Sequence, residues 1–191
     1  PTRVFAPGTT PAYSNYATAL AGYIVQRVSG KPYHSYIEAE ILRPLGMRYA
    51  SARQPLPDRL RPFASGGYEK MYGASEPFEI VIPEPAGSFS VSGADMAKFM
   101  IAHLENGGPL LKPETAKQMH DFRAPGLGPL NTMALGFYEQ RINGQRSIGH
   151  GGDTDFFHSD LWMFPGTDVG LFISMNSAGK DAAAYGLRGT I

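Results

Sequence analysis

A histidine surrounded by glycines lies near the end of the chain, in the stretch from Ser147 to Asp155. Gly149, Gly151 and Gly152 leave the backbone bare on both sides of His150. An imidazole exchanges protons near neutral pH, and bare backbone lets a group other than protein approach a strand closely. The pattern predicts a strand edge that a small molecule can approach. A glycine-rich turn with an incidental histidine is the alternative.

A tyrosine and an asparagine, Tyr13 and Asn15, stand on either side of Ser14 just before the first helical pattern. A phenol can exchange a proton, and an amide both donates and accepts hydrogen bonds. Serine and asparagine are also common helix N-caps, so a simple cap is the alternative to a chemical role. The three residues by themselves leave both interpretations open.

A divalent-metal site is a third possibility near the end of the chain. His150, Asp153, Asp155, His158 and Asp160 lie within eleven residues, and imidazole with carboxylate oxygens is a usable ligand set. On a strand, however, residues 150 and 158 are too far apart to share one ion without a sharp turn. We therefore expect no metal site.

Composition excludes several classes of function for this chain. The 191 residues carry no net charge, are 42% hydrophobic and include no cysteine. Bulk electrostatic binding to nucleic acid is therefore not expected, and no apolar run approaches the roughly 18 residues of a membrane span. The missing cysteines exclude disulfides and a cysteine nucleophile. The length suits one domain or part of one.

Hydrophobic periodicity predicts an α+β fold, with helices first and an antiparallel sheet afterwards. Residues 1–130 read as mainly helical around a long Pro/Gly loop at 50–87, and residues 131–191 as strands followed by the start of a last helix. The first helix is predicted to bury one face, made of Tyr16, Leu20, Ala21, Ile24, Val25 and Val28. Further helices are predicted over 33–42, 92–104 and 113–120, and strands over 134–142, 145–148, 159–164 and 169–175.

Several short motifs occur in one order along nearly the whole chain: Tyr13-Ser14-Asn15, Ile41–Met47, Pro85-Ala86-Gly87, Ser92–Ala97 and Gly149–Gly152. This ordered set resembles the serine β-lactamase-like family, which includes class C β-lactamases, D,D-carboxypeptidases, D-aminopeptidases and related esterases. The resemblance implies a partial β-lactamase or penicillin-binding-protein-like fold. It implies acyl transfer to a serine and then hydrolysis of an ester, amide or lactam in a small molecule or peptide, with no cofactor. It also implies a periplasmic or extracellular location.

The resemblance assigns roles to particular residues. Tyr13 would exchange protons with the nucleophile and the leaving group, while Asn15 would hold a lysine and the substrate amide. His150, with Gly151 and Gly152, would form the substrate-facing strand, and the N–H of Asp153 would be half of the oxyanion hole. A free tyrosine has a pKa of about 10, so a tyrosine base needs nearby positive charge. One cation at about 4 Å supplies roughly 4 kcal/mol at an effective dielectric near 20.

The family's nucleophile lies in an S-x-x-K motif far upstream of the tyrosine, and the twelve residues before Tyr13 contain no serine. The literal match Ser177-Ala178-Gly179-Lys180 comes after the third motif, and we interpret Ser177 as a helix cap. We therefore expect a fragment that lacks the nucleophile and is inactive alone. A non-catalytic binding or regulatory domain built on the same fold is the alternative.

Overall fold

A computed structural model describes residues 2–7, 9–10, 12–70, 73–122 and 133–188. It confirms the α+β architecture and the antiparallel meander. Four strands follow one another in the sheet in the order of the sequence, and a separate two-stranded ribbon pairs β1 (Ala50–Ser51) with β2 (Ser90–Val91). The sheet strands are β3 (Tyr138–Ile142), β4 (Gln145–Asp153), β5 (His158–Phe164) and β6 (Val169–Met175).

Short turns set the register of the sheet. Asn143 and Gly144 both have positive φ, as a two-residue hairpin loop of this type requires, and they pair Ile142 with Gln145. The next hairpin is closed by the Thr154 N–H, which donates to the carbonyl of Phe157. Because both connections are so short, the pairing of β4 with its two neighbours cannot slip without turning its side chains to the wrong face.

The helices have the bounds α1 (Asn15–Ser29), α2 (Tyr33–Ile37), α3 (Gly93–Leu104), α4 (Pro113–Asp121) and α5 (Ala183–Arg188). The predicted second helix continues beyond α2 as a π-helical turn over Glu38–Leu42. The side chain of Ser92 accepts the Asp95 N–H and so caps α3. A 3-10 turn, Lys180–Ala182, precedes α5.

The main hydrophobic core lies between α3 and one face of the sheet. Met100 of α3 packs against β6 where Gly170 gives it room, since a Cβ on Gly170 would lie 3.1 Å from the Met100 sulfur. The buried members are Met100, Ala134, Phe137, Ile148, Leu161 and Met163, and Met96, Phe99 and Leu104 of α3 pack against them. A second cluster surrounds Ile37 and Leu42.

The predicted buried face of α1 is wrong for the residues that the structure describes. Tyr16, Leu20, Ile24 and Val28 are all exposed, and Val28 reaches 84%. Gly22 is the buried residue of this helix, and a Cβ on it would lie 2.5 Å from the ring of Pro85. Helical periodicity identifies an apolar face, but burial depends on a neighbouring element, and no described element covers this one.

The predicted loop at 50–87 is largely irregular and packs across one end of the sheet. Asn176, just after β6, donates through its side-chain amide to the Ser65 hydroxyl and to the Gly66 carbonyl. Its backbone carbonyl accepts the Tyr68 N–H. Tyr72, residues 124–130 and the last three residues lie outside the described residues. Among the described residues, no helix has the length and apolarity to cross a membrane.

Two buried histidines join α3 to α4. Nδ1 of His103 lies 2.9 Å from Nε2 of His120, so one of these nitrogens carries the shared proton. Both side chains are buried, and the ring of Phe137 packs edge-on against them. Burial, and then the nearby His120, lower the pKa of His103 to about 4. Burial also lowers the pKa of His120, and Arg146 adds to the effect.

We expect acid to weaken the fold through this pair. Between pH 6.5 and 4, His103 binds a proton in the unfolded chain but not in the folded chain. The free energy of unfolding therefore falls as the pH falls. The loss from His103 is about 3 kcal/mol across that window, and none of it appears above pH 7. Urea unfolding measured from pH 7.5 to 4.5 checks this. His103→Gln should flatten the slope, and an unchanged slope would contradict the assignment.

Candidate active site

Tyr13 and His150 meet although they are 137 positions apart in the sequence. Their ring centroids are 5.3 Å apart, with the planes tilted by 55°. The Ser14 hydroxyl accepts the Ala17 N–H, so Tyr13 lies directly before the capped end of α1. The Tyr13 hydroxyl donates to Oδ1 of Asn15 at 2.9 Å. The structure thus brings together three of the predicted site residues from opposite ends of the chain.

The imidazole of His150 has a defined tautomer. Its Nδ1 lies 2.5 Å from the Gly151 carbonyl oxygen. A carbonyl can only accept, so Nδ1 carries the proton and Nε2 is the basic nitrogen of the neutral ring. Protonation would then place the new N–H at Nε2, which leaves His150 able to give or take one proton there.

One edge of β4 is bare beyond the start of β3. Tyr138, the first residue of β3, pairs with Gly149, and the chain before it turns back through a bond from the Ala134 N–H to the Phe137 carbonyl. Within the described residues, no strand therefore runs beside residues 150–153 on this side. This is the side on which a group other than protein can approach β4.

The Asp153 N–H points toward that bare edge. Antiparallel strands alternate between hydrogen-bonded and non-hydrogen-bonded pairs. Thr154 and Phe157 form a bonded pair, so the next pair, Asp153 with His158, is non-bonded. The N–H of Asp153 consequently faces away from β5, and by the same alternation so does that of Gly151. Two backbone donors on an open strand edge suit a carbonyl oxygen or a developing oxyanion.

At the three glycines around His150, an added Cβ would meet different surroundings. A Cβ on Gly149 would collide with the Leu161 carbonyl oxygen and the Trp162 ring, which explains that glycine by packing alone. A Cβ on Gly151 would lie 2.6 Å from Oδ1 of Asp160. Gly152 has open space where a side chain would be, so its bare backbone is not required by any described neighbour.

The side chain of Asp153 is held by two donors, one from β5 and one from α5. Nδ1 of His158 lies 2.8 Å from one carboxylate oxygen, and an Arg188 nitrogen lies 3.1 Å from the other. Arg188 also donates to the Ser159 carbonyl. Burial opposes ionisation of Asp153, but the bonds from His158 and Arg188 outweigh it and hold its pKa below the usual value. A fixed Asp153 side chain also fixes the backbone N–H that faces the bare edge.

His150 and His158, the two histidines of the possible metal-ligand set, lie on opposite faces of the sheet. His150 pairs with Leu161 in the core, whereas His158 pairs with Asp153, three positions further along β4. His158 is 1% exposed and packs against the ring of Tyr185. No group of three possible metal ligands occurs in the part of the chain that the structure describes.

Ser177 lies in a turn at the end of β6. Its hydroxyl accepts the N–H of Gly179 at 3.0 Å, and its backbone bridges to Tyr68. The N-cap of the following 3-10 turn is Gly179. Ser177 therefore closes a turn three residues before that element begins, and the prediction that it is a helix cap is wrong.

Sequence reasoning missed Tyr138 and Arg188. The ring of Tyr138 lies 5.0 Å from that of His150 and 6.3 Å from that of Tyr13. Nothing in the local sequence distinguishes Tyr138 from a tyrosine packed on a sheet, because its importance comes from the register of β3 on β4. Arg188 belongs to a short helix, α5, that the sequence predicted only by its start.

A cavity of about 370 Å³ lies between the irregular loop, the start of β5 and the end of β6. Its walls are mostly apolar, with Phe63, Phe78, Phe89, Phe157 and Phe172 among them, and its polar groups include Glu79, Ser159 and Ser174. Residues 50–87 supply half of the residues that line it.

Known proteins are similar to this chain both in sequence and in fold. The Beta-lactamase family model matches residues 1–189. PbpX of Bacillus subtilis (strain 168), named as a penicillin-binding protein, is 33% identical over 130 residues, which are 65% of this chain and 30% of PbpX. The D-alanyl-D-alanine-carboxypeptidase/endopeptidase AmpH of Escherichia coli (strain K12) is 45% identical over 56 residues, 29% of this chain and 14% of AmpH.

Two solved structures superpose on nearly the whole chain. The octameric penicillin-binding protein homologue from Pyrococcus abyssi gives a TM-score of 0.75 at 23% identity, covering 98% of this chain and 44% of the homologue. The class C beta lactamase from Rhodobacter sphaeroides gives 0.75 at 17% identity, covering 93% of this chain and 58% of that protein. The chain belongs to the Beta-lactamase family and has its α+β fold. It spans less than two thirds of the length of these relatives.

The glycines provide a direct test of the packing around β4. We expect Gly149→Ala to destabilise the protein by about 1–3 kcal/mol or more, because the new methyl group meets backbone that cannot move aside. Gly152→Ala is the matched control on the same strand, and we expect it to stay within about 0.5 kcal/mol. Urea unfolding of both variants measures the difference. Equal stabilities would show that Trp162 and Leu161 do not require the glycine.

Proposed function

We propose that the protein is a serine hydrolase that forms an acyl-enzyme and then hydrolyses it. The observation that supports this best is the meeting of Tyr13, Asn15 and His150 beside the bare edge of β4. Tyr13 is the proposed base and acid, and the Asp153 N–H is the proposed oxyanion donor. Gly151 and Gly152 keep the edge open for the substrate carbonyl.

In the proposed reaction, Tyr13 starts as a phenolate, and a serine hydroxyl attacks the substrate carbonyl while its proton passes to the Tyr13 oxygen. The carbonyl oxygen becomes an oxyanion, which the Asp153 N–H and the serine N–H stabilise. Tyr13 then returns the proton to the departing alcohol or amine, and the acyl group stays on the serine. Water attacks this ester by the same route, releasing the acid and restoring the serine hydroxyl.

The contact between Tyr13 and Asn15 fits this cycle. The neutral phenol donates to the amide oxygen of Asn15, and a phenolate would instead need a donor. An asparagine amide carries both groups, so a half-turn of its plane presents the NH₂ to the ionised oxygen. Asn15 can therefore stabilise Tyr13 in both protonation states without moving its backbone.

The charge of His150 accounts for part of what a tyrosine base needs. An imidazolium 5.3 Å away stabilises a phenolate by at most roughly 3 kcal/mol at an effective dielectric near 20. Tyr13 is 49% exposed, so water screens this interaction and reduces it. A second cation is therefore needed, and we propose that it is the lysine of the nucleophile's S-x-x-K motif.

We propose that this motif lies outside residues 1–191, since the match at Ser177 is occupied by its own turn. Fluorophosphonate labelling of the whole protein, followed by peptide mapping, tests this directly. We expect a label on a serine other than Ser177, no effect of Ser177→Ala, and no hydrolysis by the 191 residues alone. A label on Ser177 would overturn the assignment. No label and no hydrolysis would favour a binding domain instead.

The relatives suggest substrates with an ester, amide or lactam bond. The Escherichia coli relative is named as a D-alanyl-D-alanine carboxypeptidase, and a neighbour from Ochrobactrum anthropi SV3 as a D-amino acid amidase. We propose that the substrate is a small acyl compound or peptide of one of these classes. We also propose that the protein acts in the periplasm or outside the cell. Parallel assays with a chromogenic cephalosporin and a short p-nitrophenyl ester separate lactamase from esterase activity.

The charge role of His150 can be tested by substitution in the whole protein. His150→Lys keeps a cation at high pH, whereas His150→Ala never has one, so we expect the lysine variant to retain more activity as the pH rises. The measurement is kcat/KM for an ester from pH 6 to 10. Equal losses in the two variants would remove the charge role and leave His150 as a shape-filling residue.

A further inference from the structure

Tyr138 completes a cluster of three rings beside the bare edge of β4. Its ring centroid is 5.0 Å from that of His150 and 6.3 Å from that of Tyr13, and the remaining side of the triangle is 5.3 Å. Each ring therefore contacts the other two at distances typical of packed aromatic pairs. Tyr138 belongs to the candidate site by position, although neither the motifs nor the proposed reaction uses it.

The backbone of Tyr138 is more firmly held than that of Tyr13. Tyr138 begins β3, pairs with Gly149 and is bridged on its other side by Met133. The preceding residue, Phe137, is 6% exposed and is packed in the core. Tyr13, by contrast, precedes a helix whose apolar face is exposed, and its side chain is 49% exposed. The ring of Tyr138 is anchored on the sheet and can therefore fix the position of the Tyr13 ring, which its own segment leaves loosely packed.

The chemistry of the two phenols differs in a useful way. Burial, and then the neighbouring Tyr13, raise the pKa of Tyr138 above its usual value. Tyr138 therefore stays protonated at working pH and does not act as a base.

We propose that Tyr138 is a positioning residue, whose anchored ring holds Tyr13 and His150 together at the start of the bare edge of β4. The inference rests on the proposed function, because it assigns Tyr13 the proton transfer that the position of Tyr138 serves. Loss of the ring would let Tyr13 turn toward solvent. A misplacement of about 1 Å at a reacting group can reduce the rate roughly 100-fold.

Kinetics of three variants of the whole protein test this role. We expect Tyr138→Leu to lower kcat for ester hydrolysis roughly 10- to 100-fold with KM changed less than about threefold, because positioning acts on the chemical step. Tyr138→Phe keeps the ring and should restore kcat to within about threefold of the wild type. Tyr36→Leu, which removes a half-buried tyrosine from α2 in the other core cluster, is the matched control and should leave kcat unchanged.

An NMR measurement separates this proposal from the proposed function. We expect the ring resonances of His150 to shift in Tyr138→Leu, as the neighbouring ring current is lost, but not in Tyr36→Leu. An active wild type whose Tyr138→Leu variant keeps full kcat, or whose His150 resonances do not move, would overturn the role of Tyr138 alone. An inactive wild type whose His150 resonances do respond would support the ring cluster and overturn the hydrolase.

Discussion

The one-sided pairing of β4 is the constraint on which the rest of the site depends. Toward β5 its backbone is bonded as far as the Thr154–Phe157 turn, whereas toward β3 the pairing stops at Gly149. The strand is therefore rigid and yet has an open edge at 150–153. A backbone donor on a rigid strand is already oriented before the substrate arrives, which is what oxyanion stabilisation requires. The early turn-back of the chain before Tyr138 creates this edge, and the same residue closes one end of it.

The opposite face of the sheet contributes to the same geometry. Arg188 of α5 reaches Asp153 on β4 and the Ser159 carbonyl on β5, while His158 holds the other oxygen of the Asp153 carboxylate. These contacts cross between strands at the place where the backbone must be exact to a fraction of an ångström. They also explain the carboxylate and imidazole groups near His150 without a metal ion, because Asp153 is bound to both His158 and Arg188.

The fold was largely predictable from the sequence, because local signals determine it: Asn143-Gly144 specifies a hairpin, and Ser92 specifies the start of α3. Burial was less predictable, and the face of α1 that includes Leu20 and Ile24 is the clearest case, since its exposure depends on what lies beside it. Within the site, the ordered motifs led to Tyr13, Asn15 and His150. They could not lead to Tyr138 or Arg188, whose roles arise from strand register and from a contact between distant elements.

The positive charge near Tyr13 likewise depends on contacts between elements that are distant in the sequence. A tyrosine that acts as a base needs positive charge close to its oxygen. Arg188 cannot supply it, because it is bound to Asp153 and lies 3.4 Å from an oxygen of Asp160 on the face opposite His150. A neutral His150 supplies no cation, and its Nδ1–H donates to the Gly151 carbonyl. In the proposed reaction, the described residues provide the proton carrier, the oxyanion donor and the frame around them, and the remaining positive charge comes from the lysine beside the nucleophile.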